Sequence, residues 1–393
     1  MAPMAPISLR ALNRATLARQ GLLEPISAAP GDAVRSLGSL QAQHPEWPPV
    51  ALASRAADAA TADLAGALER REVVRSSLMR ITIHVVAAED LWPMFTVMQP
   101  MRVDQWRRLL KQDPVDSPLG RRMTAAHAAA IEALRERPHS SLELDRIMAA
   151  EVGPDATSVS RPAWRQPTSQ IVVRAAWRHF AAFTPLVHVP HDAEGYGRSQ
   201  YALATNWLGV DPPQIGEERA RVLLARRYLA AFGPASVDDL AAYVGRGKGG
   251  IRVWREALKG LGGEVVEIRG EDGRALLDLV DAPRPDEATP AAPRLLARWD
   301  SLLLSHATKE RARVIAPADR PRVFSKNADV LPTFLLDGFV AGTWEVQRSD
   351  GAVTVTLRPF AKLARSQATL LEAEADRVLA LMGETERAVR FAR

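Results

Sequence analysis

The chain has 393 residues, 47% hydrophobic and 25% charged, with a formal net charge of +5 and no cysteine. This is a globular composition sufficient for about two to four domains, and it excludes disulfides, thiolate metal sites and cysteine nucleophiles. No run approaches 18 consecutive apolar residues and the first twenty residues lack a signal-peptide core, so neither a membrane helix nor a leader is expected. A cytoplasmic, nucleoid-associated address follows. The sequence pI near 9.8 permits nucleic-acid binding without demanding it. Forty-five arginines stand against six lysines. Much of that bias fits a GC-rich genome, and part of it fits phosphate or groove contacts.

The first helix is expected over residues 7–20, with Ser8 as N-cap before Leu9, Leu12 and Leu17. A second runs from Pro30 to Gln43 on the apolar stripe Val34, Leu37, Leu40, and Pro45, Pro48 and Pro49 end it. Thr61–Arg71 reads as a third helix, before two β-rich runs, Val73–Arg75 and Ile81–Val86. Helices followed by two strands are the order of a winged helix.

That order recurs. Helices are expected at Met123–Arg137, Ser141–Glu151 and Thr168–Phe183, then strands at Pro185–Pro190 and Gln200–Ala204 around a candidate wing. It recurs again with helices at Glu217–Phe232, Val237–Val244 (capped by Ser236) and Ile251–Leu261. A hairpin follows, from Glu264–Arg269 and Arg274–Leu279 about Gly270–Gly273. A Pro/Ala-rich linker covers 282–294. Beyond it come short strands, Val323–Phe324, Thr333–Leu336, Thr343–Gln347 and Thr354–Pro359, fitting a small sheet or barrel, and a closing helix, Ser366–Met382. The reading is an α+β chain of tandem winged-helix units plus a small C-terminal β-domain. Its segments are 1–110 (first unit), 111–212 (second), 213–283 (third) and 294–393 (β-domain).

A helix-turn-helix sets its last helix in the major groove. In the third unit that helix carries Arg252, Arg255 and Lys259 on one face, with Lys248 just before it. In the second unit Arg161, Arg165, Arg174 and Arg178 fall in a stretch without acidic residues. Either cluster fits DNA contact or a solvated face. Trp164, Trp177, Trp207 and Trp254 nearby fit core positions better than base stacking.

No phosphate-binding loop of the G-x-x-x-x-G-K-[ST] type, no H-E-x-x-H and no G-x-S-x-G is present. The eight histidines include no i, i+4 pair, and His188 and His191 flank a proline, a poor metal pair. Neither metal nor cofactor is called for. Residues 245–250 (GRGKGG) read as a flexible turn. The unusual feature is Gln41-Ala42-Gln43 among apolar residues, directly before His44-Pro45. Buried amides there would need partners, and solvated amides at a helix end would not.

Leu37–Arg55 resembles the L-x-x-x-Q-x-Q-x-x-P…R stretch near the N-terminus of the winged-helix DNA glycosylase family that includes the azinomycin-resistance glycosylase. Arg80, Thr82, His84 and Val86 resemble its R-x-T-x-H-x-V segment. Gly233–Tyr243 resembles its third-unit helix-turn-helix, and Leu296–Val314 and Leu336–Trp344 its C-terminal signatures. The likeness runs over about residues 7 to 360. Ile81 stands where the family often has glycine, a departure expected to alter only a strand.

The resemblance implies three winged-helix units and a β-domain around DNA, with a catalytic Q-x-Q motif on Gln41 and Gln43. It also implies the branch tied to self-resistance against DNA-alkylating natural products. An N7-alkylated purine is already a cationic leaving group. The protein must mainly stabilise an oxocarbenium-like sugar and place a water, which neutral amides can do. No lysine lies near the motif in sequence, which favours monofunctional hydrolysis over a Schiff-base lyase. Double-stranded DNA with an alkylated purine is the expected partner, and a monomer, with no membrane, the expected state. Arg55, His306, Lys309 and Arg311 are further candidates for contacts at DNA. His84 reads as a strand residue beneath the motif, and Asp300 and His306 could instead brace the β-domain. Two other functions fit the pattern less well: a non-enzymatic winged-helix regulator, and a protein that sequesters the drug.

Overall fold

The computed structural model describes residues 6–110, 118–152, 183–190, 200–245, 250–325, 329–349 and 351–392. The strands in chain order are β1 (Leu40–Gln41), β2 (Val73–Ser77), β3 (Ile83–Ala87), β4 (Leu186–Val189), β5 (Gln200–Leu203), β6 (Val265–Arg269), β7 (Ala275–Leu279), β8 (Arg294–Leu296), β9 (Thr333–Leu336), β10 (Phe339–Ser349), β11 (Ala352–Pro359) and β12 (Arg387–Phe391). They form three sheets, ordered β1-β3-β2-β4-β5, β12-β11-β10-β9-β8 and β6-β7.

The first helix, Leu9–Arg19, starts where Ser8 accepts from the Ala11 amide. The second, Pro30–Leu37, ends six residues short of its expected end. Gly38 at φ +78 turns the chain out of the helix, and the next residues run extended as β1. Leu40 and Ala42 pack into the core as strand residues, a role the helical stripe disguised. The proline-rich stretch after the motif, read as a terminator, begins another helix, Trp47–Ala53, with Pro48 and Pro49 in its first turn. The expected third helix is two short ones, Ala59–Ala62 and Leu64–Glu69, broken at Asp63, whose side chain caps the second. Leu91–Leu110, a 20-residue helix with Pro100 inside it, had no helical expectation.

The strand pairs of the first two units do not stand apart as separate wings. β2 pairs β4 through Arg75 and His188, fusing both into one antiparallel sheet. The third unit keeps the winged-helix order: helices Glu217–Phe232, Val237–Val244 and Gly250–Lys259, then the β6-β7 hairpin. Its middle helix is opened by a capping box in which Ser236 and Asp239 satisfy each other's backbone amides. The expected helix Thr168–Phe183 lies outside the described residues apart from Phe183.

The C-terminal domain is an open sheet, not a barrel. β8 through β11 are antiparallel, and β12, which the sequence reading lacked, joins β11 in parallel. The helix Arg365–Leu381 supplies the crossover. Val323–Phe324, read as a strand, instead closes a short helix, Arg320–Val323. One apolar core joins β2, β3 and β4 to the third-unit helices through Val74, Val86, Tyr228 and Trp254. A second joins Val34, Leu37, Leu40 and Trp47 to the C-terminal sheet through Phe334 and Trp344. The Q-x-Q segment thus lies at the meeting of the first unit, the third unit and the β-domain.

Candidate active site

β1 ends at Gln41 and the chain bends at Gln43, yet both side-chain oxygens meet the Arg80–Ile83 segment, Gln41 at Arg80 and Gln43 at the Ile83 amide. Gln41 lies opposite His84 in the β1-β3 register, and the Ala42 amide extends the ladder by donating to Ile83 O at 2.8 Å. Arg75, buried, grips Ala42 O from Nε and Nη2 at 3.2 and 3.1 Å. Both backbone groups of Ala42 are therefore held from the side of β3 and β2, the neighbours of the edge strand β1.

The two amides live in different surroundings. Gln41 is 8% exposed, and its Oε1 accepts from Arg80 Nη2 at 3.2 Å. Gln43 is exposed, held only by a 3.3 Å bond from the Ile83 amide to its Oε1. Among the described residues, neither glutamine bonds a carboxylate or an ammonium group. Gln43 presents its amide at the surface, and Gln41 is held beneath the surface by Arg80.

Arg80 owes its position to an unusual turn. Arg80 and Ile81 both lie in the left-handed region, at φ 56 and 57, between β2 and β3. Ile81 therefore does more than alter a strand: it occupies a backbone conformation that favours glycine. From that turn Arg80 Nη1 donates to Tyr243 O at 2.6 Å, and its guanidinium lies 5.6 Å from the Tyr243 ring centre. Gly245, which ends the Tyr243 helix at φ +115, allows this approach; a Cβ there would sit 3.1 Å from Arg80 Cα. Tyr243 OH pairs with Ser39 Oγ at 2.9 Å, two residues before Gln41. His84 is buried, as expected of a residue beneath the motif. Burial and then the charge of Arg80 hold its pKa down at about 3. Its Nδ1 lies 2.9 Å from Thr82 O and its Nε2 3.4 Å from Arg80 Nη2, so the neutral ring donates from Nδ1 and turns its lone pair to the guanidinium. Just beyond the motif, His44 stacks on Trp299 with centroids 5.0 Å apart, and Arg298 lies over the same indole at 5.1 Å.

The other candidates divide sharply. Arg252, Arg255 and Lys259 are exposed along the last third-unit helix, while Trp254 on its opposite side is core. Lys309 is exposed and 4.0 Å from Glu310. Arg161, Arg165, Arg174, Arg178, Lys248, Trp164 and Trp177 lie outside the described residues. Trp207 is partly buried beneath the Arg71 guanidinium at 4.9 Å.

Two candidates for DNA contact need correction. Arg55 is 1% exposed and binds both oxygens of Asp300, so its charge is spent inside the protein. His306 is equally buried, with Nε2 3.0 Å from Phe232 O and Nδ1 facing Ser305 Oγ at 2.9 Å. Its pKa is pushed to about 3 by burial first and by Arg313 next. Both residues brace the join between the β-domain and the units before it.

Sequence reasoning named Arg80 only within a motif and gave it no task. The tasks of Ser39 and Tyr243 had no local signal, since Tyr243 meets Ser39 across 204 positions of the chain and Arg80 across 163. Among the described residues no group of three His, Asp or Glu side chains could hold a metal ion, and no helix is long and apolar enough to cross a membrane.

Residues 34–381 match the family described as DNA glycosylase AlkZ-like. The chain belongs to the AlkZ-like DNA glycosylase family. It is similar to an interstrand DNA cross-link repair glycosylase of Streptomyces sahachiroi, 27% identical over 196 residues, 49% of this chain and 51% of that protein. The alignment thus spans about half of the curated relative's length. The fold is similar to the solved structure of Streptomyces sahachiroi DNA glycosylase AlkZ, with a TM-score of 0.78 at 21% identity, over 98% of this chain and 100% of that one. That likeness bears on the fold of the whole chain, which the shorter sequence match does not reach.

Proposed function

We propose that this AlkZ-like chain is a monofunctional DNA glycosylase that hydrolyses the N-glycosidic bond of bulky N7-alkylated purines or crosslinked bases. The observation that carries this reading is an exposed Gln43 two residues after a buried, arginine-held Gln41, with both side chains bonded to the Arg80–Ile83 segment. A cationic N7-alkylpurine departs without a strong acid. The remaining work is to face the cationic sugar with oxygen dipoles and to hold one water for attack at C1′. Gln43 Oε1, bound only at 3.3 Å to an amide, serves both ends. Gln41, fixed by Arg80, keeps the strand and the second amide in place.

The exposed Arg252, Arg255 and Lys259 supply contacts to the phosphates of double-stranded DNA. The chain acts as a monomer in the bacterial cytoplasm, since three winged-helix units in one chain replace the paired half-sites of a dimer. Removal of adducts left by a DNA-alkylating natural product, as self-resistance, fits the Q-x-Q form of the motif and the likeness to an interstrand DNA cross-link repair glycosylase.

The test is single-turnover incubation with a duplex carrying one N7-methylguanine, and then one carrying a bulkier N7 adduct, followed by alkaline cleavage. Strand breaks above spontaneous depurination, lost in Gln43→Ala, are expected. Tight DNA binding with no excess cleavage on either duplex would instead support a non-enzymatic regulator.

A further inference from the structure

Among the described residues, rings that pair with rings are buried or half-buried, with one exception. His44 lies on the indole of Trp299 with centroids 5.0 Å apart and planes 25° apart, yet its side chain is 55% exposed. With one face on the indole, that exposure belongs to the opposite face and to the ring edge. The indole beneath is fixed from several sides. The Trp299 amide donates to Val330 O at 3.0 Å. Arg298, 5.1 Å from the indole centre, binds both oxygens of Asp329. Asp300, on the other side of Trp299 in the chain, is gripped by Arg55. Trp299 itself sits at φ +52, where a bulky residue is an outlier. Such strain persists only where the surroundings over-determine it.

The pair stands at the motif. Along a regular strand, neighbouring side chains point to opposite faces. Here the chain bends at Gln43 and His44, and both consecutive side chains are exposed. Their Cα atoms are about 3.8 Å apart. A Gln43 carbonyl facing C1′ of a nucleotide therefore brings His44 within reach of the ring that C1′ carries.

We propose that His44, backed by Trp299, is a stacking platform for the damaged purine, a role that rests on the glycosylase reading above. A base drawn from the duplex loses the stacking of its neighbours, and an aromatic face returns it. A ring already held against a fixed indole gives up little freedom in doing so. Stacking takes the face of a base and is indifferent to its edge. An N7 substituent lies in the plane of the purine, outside the stacked faces, so a bulky one projects past the platform without displacing the ring. The same contact thus accepts small and large adducts.

The experiment uses the full chain and two duplexes that differ only at the target position. One carries N7-methylguanine on a 2′-fluoroarabinose sugar, whose fluorine disfavours positive charge at C1′ and keeps the base attached. The other carries a tetrahydrofuran abasic-site analogue, with no base to stack. Affinities are followed by fluorescence anisotropy. His44→Ala is expected to weaken binding of the first duplex by about 5- to 100-fold and to leave binding of the second unchanged. His44→Phe keeps a flat ring without the imidazole nitrogens and is expected to retain most of the affinity for the first. Equal losses on both duplexes in His44→Ala would put the contact on the backbone or on flanking bases and overturn the platform, as would no loss on either. A phenylalanine variant as weak as the alanine one would make the contact a hydrogen bond, which also overturns it. Absence of N7-methylguanine excision by the wild type, with the duplex-specific loss intact, would remove the glycosylase reading and leave the platform standing.

Discussion

Arg55 holds Asp300 with two hydrogen bonds, Nη2 to Oδ1 at 2.7 Å and Nη1 to Oδ2 at 3.0 Å, and both side chains are closed to water. The pair joins the segment after the Q-x-Q motif to the start of the helix Ser301–Leu304, which Asp300 also caps at Leu302. Removing one partner strands a buried charge. Asp300→Asn or Arg55→Met is expected to cost about 3–5 kcal/mol in urea unfolding. Arg55→Met with Asp300→Leu should cost clearly less than the sum of the single changes. Additive costs, or a lowered salt slope of DNA binding in a folded Arg55 variant, would return Arg55 to the phosphate contacts.

The two glutamines separate by stability. Gln43→Ala touches an exposed side chain and should leave unfolding within about 0.5 kcal/mol of wild type. Its excision rate should fall by about 10² to 10³ if its carbonyl faces the transition state. Gln41→Ala leaves Arg80 Nη2 with only the longer 3.4 Å contact to His84 Nε2 and should cost about 1–3 kcal/mol besides lowering excision. Equal stability losses in the two variants would contradict the division of roles.

Ile81 offers a test of the backbone alone. A β-branched residue at φ +57 is strained by about 1–3 kcal/mol. Both Ile81→Ala and Ile81→Gly remove the same packing against the first core, and only glycine relieves the strain. Ile81→Gly should therefore melt higher than Ile81→Ala, the reverse of the usual order. An alanine variant that melts higher would show the turn to be relaxed.

Acid should weaken the fold through its buried histidines. His84, His188 and His306 are each held at about 3, by burial in every case. An unfolded histidine titrates near 6.5, so between about pH 6.5 and pH 3 the unfolded state binds more protons. The stabilising effect is complete above pH 6.5 and is lost as the pH falls, at about 1.4 kcal/mol per pH unit for each histidine. Urea midpoints at pH 7.5 and 5.0 check this. No decrease at pH 5.0, or a decrease that His306→Gln fails to reduce in a variant that still folds, would count against it.

Most of the elements and their order were legible in the sequence, because amphipathic periods, Ser236 before its helix and the β6-β7 hairpin turn are local signals. Gln41 and Gln43 were legible as a motif, but their setting was not. Leu37 and Leu40 keep a helical period, and only the left-handed Gly38 and the ladder to β3 end the helix at Leu37 and set Gln41 opposite His84. Whether Arg55, His306 or Arg80 faces water or a partner depended on residues up to 245 positions away, such as Asp300, Phe232 and Tyr243. Side-chain type and short-range spacing thus determined which chemistry the chain carries. Burial and long-range pairing, set only when the cores close, decided which of its charges face solvent and which are spent inside the protein.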